Sequence, residues 1–275
     1  MMRKFLRVGK YIVFFLLVAA FVCYLLFLWM RQDNIAPTLQ VPTDILRVSA
    51  KVTTEELLQG VTATDDRDGD VTSSVMVESL STFDTNMQRT VTYVAFDSAG
   101  NVSRATRQLM YTDYTSPQFK LSGEMRMASV TIDNVLKFVT AGDSLDGDLT
   151  NQIEIVDYNV RDTAIALYDV TLSVSNSAGD TSTVTLPVWL TGRNLSQPRI
   201  VLSDYLVYRK VGEKPNWYSY IKELQSALTD EKLANAAVSI TNAPTELERG
   251  TYIIRYSISS RNGYIGVAYL TVVAQ

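Results

Sequence analysis

One acidic turn occurs twice in this sequence, and the interval between its two copies constrains the fold more than any other feature. Asp68-Gly69-Asp70-Val71-Thr72 recurs as Asp146-Gly147-Asp148-Leu149-Thr150, 78 positions later, and Ser98-Ala99-Gly100 recurs as Ser177-Ala178-Gly179, 79 positions later. A repeat kept to within one residue implies a row of similar small domains, each built from the same supersecondary unit. The stretches between these markers alternate with period two. Val170, Leu172 and Val174 share one face while Thr171, Ser173 and Ser175 take the other. Val184, Leu186, Val188 and Leu190 do the same against Thr183, Thr185 and Trp189. Such alternation marks half-buried strands. Ser-Ala-Gly between two strands predicts a tight hairpin whose glycine takes positive φ. Pro187 cannot donate to a ladder, so its strand should be an edge or carry a bulge. Short strands with turn signals at intervals of about ten residues predict β-sandwiches.

Prolines separate the modules. Pro37 opens the first (37–114), Thr115-Ser116-Pro117 the second (115–196) and Ser196-Gln197-Pro198 the third (197–275). The third ends in a hairpin like those of the other two but lacks the Asp-Gly-Asp turn. In its place, Trp217 to Leu228 sets Ile221, Leu224 and Leu228 at helical spacing, which predicts a short helix over 217–228.

The 20 residues from Tyr11 to Met30 carry no charge. As a helix they would span about 30 Å, the thickness of a hydrocarbon layer. Arg3, Lys4, Arg7 and Lys10 precede this run, leaving 21 basic against 29 acidic residues in the remainder. That asymmetry predicts a single-pass anchor with residues 1–10 in the cytoplasm, a linker over 31–36, and everything after it outside. A cleaved signal peptide has a shorter apolar core and small residues at its end, whereas this run ends in Leu28-Trp29-Met30, so an uncleaved anchor is favoured. An acidic array does not attract nucleic acid by phosphate neutralisation. The chain contains no His and a single Cys, Cys23. A Ser-His-Asp triad, a thiolate zinc site and an intrachain disulfide are therefore all excluded.

Together these motifs resemble the bacterial immunoglobulin-like domains of the pesticidal-crystal-protein Ig-like family. The first module carries the pattern in Asp68 to Thr72, Asp84-Thr85, Tyr93-Val94 and Ser98 to Asn101. The second keeps Asp146 to Thr150, Asp162-Thr163 and Ser177 to Gly179. The third keeps mainly Gly250-Thr251-Tyr252 and its last hairpin. The resemblance implies an all-β chain of three tandem Ig-like β-sandwich domains behind one N-terminal transmembrane helix, in a bacterial cell-surface setting. It implies no activity.

Two groups of residues are candidates for function. Asp65, Asp66, Asp68 and Asp70, with Asp143, Asp146 and Asp148 in the second copy, offer the oxygen-rich loops that calcium takes. The spacing departs from an EF-hand loop, and Asp and Gly also serve as plain turn residues, so turns are the favoured reading and no cofactor is required. The second group is Trp217, Tyr218 and Tyr220, aromatics in the divergent third module, where a protein or glycan partner is expected. The function these features favour is structural or adhesive binding at the cell surface, with no enzymatic activity. An accessory subunit of a membrane or cell-wall machine ranks second and a surface hydrolase last, because catalytic carboxylate pairs are not duplicated along a stalk.

Overall fold

A computed structural model describes residues 2–30, 32–127, 132–190, 197–225, 237–260 and 263–275. The uncharged run lies in a helix, α1 (Met2–Met30), and among the described residues everything after it is mainly strand. Within α1 the described side chains are those of 13–27 and 29, all exposed. Among the described residues no helix is long and apolar enough to cross a membrane.

Chain contacts divide the molecule into two compact units, one of residues 1–48 and 52–110 and one of 49–51 and 111–275. The first unit holds seven strands: β1 (Thr38–Gln40), β2 (Leu46–Val48), β3 (Thr62–Asp65), β4 (Gly69–Asp70), β5 (Met76–Leu80), β6 (Arg89–Phe96) and β7 (Val102–Tyr111). They form two sheets, ordered β1-β3-β4 and β2-β7-β6-β5. Ala63 from one sheet and Val91, Tyr93, Ala95 and Leu109 from the other are wholly buried. A four-residue helix, α2 (Thr54–Leu57), is started by a capping box in which Thr53 and Glu56 satisfy each other's backbone N–H groups. Its Leu57 carbonyl accepts the buried Tyr93 hydroxyl at 2.8 Å.

The second unit contains two sandwiches. The first is β8 (Gln118–Leu121) with β9 (Val139–Gly142), facing β10 (Glu154–Asp162), β11 (Leu167–Ser175) and β12 (Thr181–Trp189). Phe119, Val139 and Ala141 meet Val170, Leu172, Val174, Val184, Leu186 and Val188 in one core, the alternation read from the sequence. Pro187 lies on β12, an edge strand of its sheet. The other sandwich comprises β13 (Arg199–Leu202), β14 (Leu206–Arg209), β15 (Ile221–Gln225), β16 (Ser239–Thr241), β17 (Gly250–Ser259) and β18 (Ile265–Ala274). Its sheets are β13-β15 and β14-β18-β17-β16.

The expected helix over 217–228 is corrected here. Trp217–Tyr220 is a single 3-10 turn and Ile221–Gln225 is strand β15, while 226–228 lie outside the described residues. The cause is a bulge. Leu202 pairs with Ile221 and Ile200 with Leu224, so two residues three apart on β15 oppose two residues two apart on β13. An extra residue in one strand turns period two into a local spacing of three, which imitates a helix.

The two cores of this unit are joined. Leu206 and Val273, from β14 and β18, pack against the core of the preceding sandwich. Trp189 and Tyr269 pack with ring centroids 5.3 Å apart and planes tilted by 41°, and the Arg126 guanidinium sits 4.2 Å over the Trp189 ring. Glu124 pairs with Arg126 and Arg199, and the Phe119 N–H donates to the Tyr208 hydroxyl at 2.8 Å. At the seam, Gly266 of β18 lies against the Pro198 carbonyl so closely that a Cβ would collide with it.

Candidate functional site

The repeated acidic turn and the hairpin beside it form one hydrogen-bonded device, built twice. Asp65 ends β3, and its Oδ1 accepts the N–H groups of Arg67 and Asp68, both at 2.9 Å. Asp143 accepts those of Leu145 and Asp146 at 3.1 and 2.7 Å. Gly69 and Gly147 both sit at φ +76°, the left-handed position the turn requires. Asp68 then reaches the hairpin, accepting Ser98 N–H at 2.6 Å and its Oγ–H at 2.9 Å. Asp146 takes Ser177 in the same way, at 2.6 and 2.7 Å. Asp70 and Asp148 accept the N–H of Thr72 and Thr150, and hydrogen bonds from those threonines, side chain first and backbone second, hold both carboxyls below the usual range.

The two copies differ behind the turn, where Asp97 and Asn101 of the first stand in the places of Asn176 and Asp180 of the second. Asn176 in the second copy donates its Nδ2–H to Asp143 Oδ2 and to the Tyr114 hydroxyl, both at 2.7 Å. Tyr114 in turn donates to Asp180 Oδ2 at 2.7 Å. Burial, with the Asp180 hydrogen bond second, pushes the Tyr114 hydroxyl well above its ordinary value. In the first copy Asp97 stands where Asn176 stands. A carboxylate has no N–H to give. Asp97 instead accepts from Asn101, backbone N–H and Nδ2–H each at 2.7 Å. Burial would raise this carboxyl, and the Asn101, Gly100 and Ala99 donors outweigh it, so it is held low. Asp65, only 8% exposed, keeps a buried Oδ2 with no hydrogen-bond partner among the described residues.

Asp33, which the sequence reading did not single out, completes this place. One carboxylate oxygen from each of Asp33, Asp65 and Asp66 lies within 4.8 Å of the other two. The Asp33 carbonyl and that of Ile35 accept Asn101 Nδ2–H at 3.1 and 3.2 Å, which fixes the segment to the hairpin. Arg67 Nε stands 3.6 Å from Asp33 Oδ2. Of the expected metal-ligating residues, then, the fold gathers Asp65 and Asp66. Asp68, Asp70, Asp143, Asp146 and Asp148 serve as turn and hairpin acceptors, and among the described residues none of them belongs to a metal-sized cluster.

The aromatic candidates separate as well. Tyr220 is buried in the third core and its hydroxyl accepts from Arg209 Nε at 2.9 Å. Trp217 packs on that core, stacks on Tyr220 and donates its indole N–H to the Pro244 carbonyl at 2.9 Å. Tyr218 alone of the three is exposed. A more open apolar surface lies on β10. Tyr158 and Val160 stand opposite Val170 and Tyr168 of β11, yet they are 56% and 53% exposed. The signal in the sequence was a hydrophobic alternation, Val156-Asp-Tyr-Asn-Val160, that looks like any half-buried strand.

Comparison with known proteins gives distant likenesses. No family model matches the chain. An uncharacterised 81.3 kDa protein of Acholeplasma phage L2 is 26% identical over 204 residues, which is 66% of this chain and 27% of that protein. The chain therefore spans about a quarter of the length of this curated relative. Among solved structures, the CBM51-2 and INT domains of Clostridium perfringens ZmpB, in complex with GlcNAc, are similar at 17% identity and TM-score 0.22, covering 55% of this chain and 26% of that one. The protocadherin GammaB4 extracellular domain is similar at 11% identity and TM-score 0.20, covering 88% and 49%. Mouse cadherin-23 EC22-24 is similar at 15% identity and TM-score 0.17, covering 88% of this chain and 99% of that one.

Proposed function

We propose that this chain is a membrane-anchored surface protein that presents tandem Ig-like β-sandwiches for structural or adhesive binding. The observation that carries the reading is in the sequence: the uncharged Tyr11 to Met30 run follows four basic residues and leads through a short linker into a sandwich. Positive charge stays on the cytoplasmic side, so the acidic remainder lies outside. Intact cells treated with protease, after the outer envelope is opened where one exists, are expected to lose the array while keeping a fragment of about the size of α1 in the membrane. Full protection of the array, or its appearance as a soluble species cut after Met30, overturns the anchor.

One observation favours the second reading, an accessory subunit that docks onto a protein machine of the membrane or wall. Among the described residues β10 is an edge strand paired with β11 alone, and it carries the exposed Tyr158 and Val160. A free edge beside exposed apolar side chains is the arrangement to which a partner strand adds. Val160→Lys should abolish capture of a protein partner while leaving the melting temperature within about 2 °C of wild type, since a surface change costs roughly 0.5 kcal/mol or less. Unchanged capture by this variant removes β10 from the docking surface.

A further inference from the structure

We propose that Asp33, Asp65 and Asp66 hold a calcium ion that fastens the segment leaving α1 to the first sandwich. The argument begins with the orphaned oxygen. Asp65 is more than nine-tenths buried and its Oδ1 is already taken by two amide N–H groups, so the oxygen with capacity left is Oδ2, which has no donor among the described residues. A buried carboxylate oxygen without a partner is costly, and native structures supply one. The second copy of the device shows how a donor is supplied. There Asn176 fills the same place at 2.7 Å from Asp143 Oδ2. In the first copy Asp97 takes the position of Asn176, removing the donor and adding a negative charge.

What remains to satisfy that oxygen is a cation. Asp33, Asp65 and Asp66 bring three carboxylates together, where Arg67 pairs with Asp33. Their oxygens already have the required spacing. Two oxygens each about 2.4 Å from one ion can be no more than about 4.8 Å apart, and calcium takes oxygens at that distance. All the donors are hard oxygens, and the exposed side of Asp66 leaves room for the waters that complete six to eight ligands. Magnesium demands a tighter octahedron, so calcium is the better fit. Asp33 lies three positions beyond Met30, the last residue of α1, and an ion bound there ties this segment to the turn after β3.

The test uses the full chain in mild detergent, stripped with a chelator and titrated calorimetrically with calcium chloride. One calcium per chain is expected. Asp33→Asn and Asp65→Asn should each weaken binding about tenfold or more, while Asp143→Asn, in the other copy, should leave it unchanged. Asp97→Asn is the decisive variant, because it places an amide where the second copy has Asn176, with Asn101 still in the place of Asp180. It should lose calcium binding as the new amide reaches Asp65, while circular dichroism in chelator shows the wild-type fold. A misfolded protein cannot give that pair of results. No heat at millimolar calcium with wild type, binding that survives Asp33→Asn and Asp65→Asn together, or an Asp97→Asn protein that binds like wild type each overturns the proposal.

Discussion

Gly266→Ala is expected to lower the melting temperature of the second unit by roughly 6–12 °C, because the added methyl meets a backbone carbonyl that cannot turn away. At this seam a Cβ collides with the Pro198 oxygen and also lies 2.8 Å from the Pro198 carbonyl carbon and 3.2 Å from its Cγ. Ring and peptide are both stiff, so β13 and β18 must separate or the backbone must bend. Overpacking of this kind costs up to about 3 kcal/mol, which for a unit of this size gives the shift stated. Gly123→Ala is the matching control, since a Cβ there has nothing within 4 Å. It should fall within about 0.5 kcal/mol of wild type. If calorimetry shows the two variants melting together, the close approach at Gly266 is not real.

Trp189→Ala is expected to be as damaging and different in kind. Trp189 is 3% exposed, covered by Tyr269 on one side and by the Arg126 guanidinium on another. Removing a buried Trp costs about 3–5 kcal/mol. The side chain contributes to the join between two cores, so the loss should appear as uncoupling. The second unit of the wild type should melt in one calorimetric transition, whereas the variant should show two, with Leu206 and Val273 left on partly exposed ground. A single transition at the wild-type temperature would mean that the join lies elsewhere. A single transition at a lower temperature would mean that the two sandwiches remain one cooperative block without the ring pair.

Trp189 also marks how far the sequence could be read. Alternation placed Val184, Leu186 and Val188 inward, and each is at most 2% exposed. The same alternation put Trp189 with the threonines on the outer face. It does point that way, but that face is covered by Tyr269, and nothing in a local pattern reports what a neighbouring sandwich will cover. Hairpin glycines were legible because Gly100 and Gly179 need positive φ, here +88° and +80°, and few other residues tolerate it. The helix expected from Ile221 and Leu224 failed because a bulge shifts spacing without leaving a mark in residue types.

The acidic residues divide along similar lines. Repetition exposed the turn, and pairwise comparison of its copies, Asp97 against Asn176, held the clue to the orphaned Asp65 oxygen. Asp33 could not be found in this way. It lies outside the repeat, 32 positions before Asp65, and only the fold brings the two together. Among the aromatics, composition alone could not separate Tyr218, which faces solvent, from Tyr220, which fills a core.

The sharing of Leu206 and Val273 with the preceding core has a consequence for heredity. A domain whose interior is sealed by its own residues can be duplicated, lost or moved to another gene without harm to its neighbours. The sandwich built from β8 to β12 is sealed partly by side chains encoded downstream of it. A recombination break near residue 197 would leave apolar surface open on both products, so selection should keep this pair of sandwiches together. The length of such an array would then change by pairs at this place, and a single sandwich grafted here would have to bring its own lid.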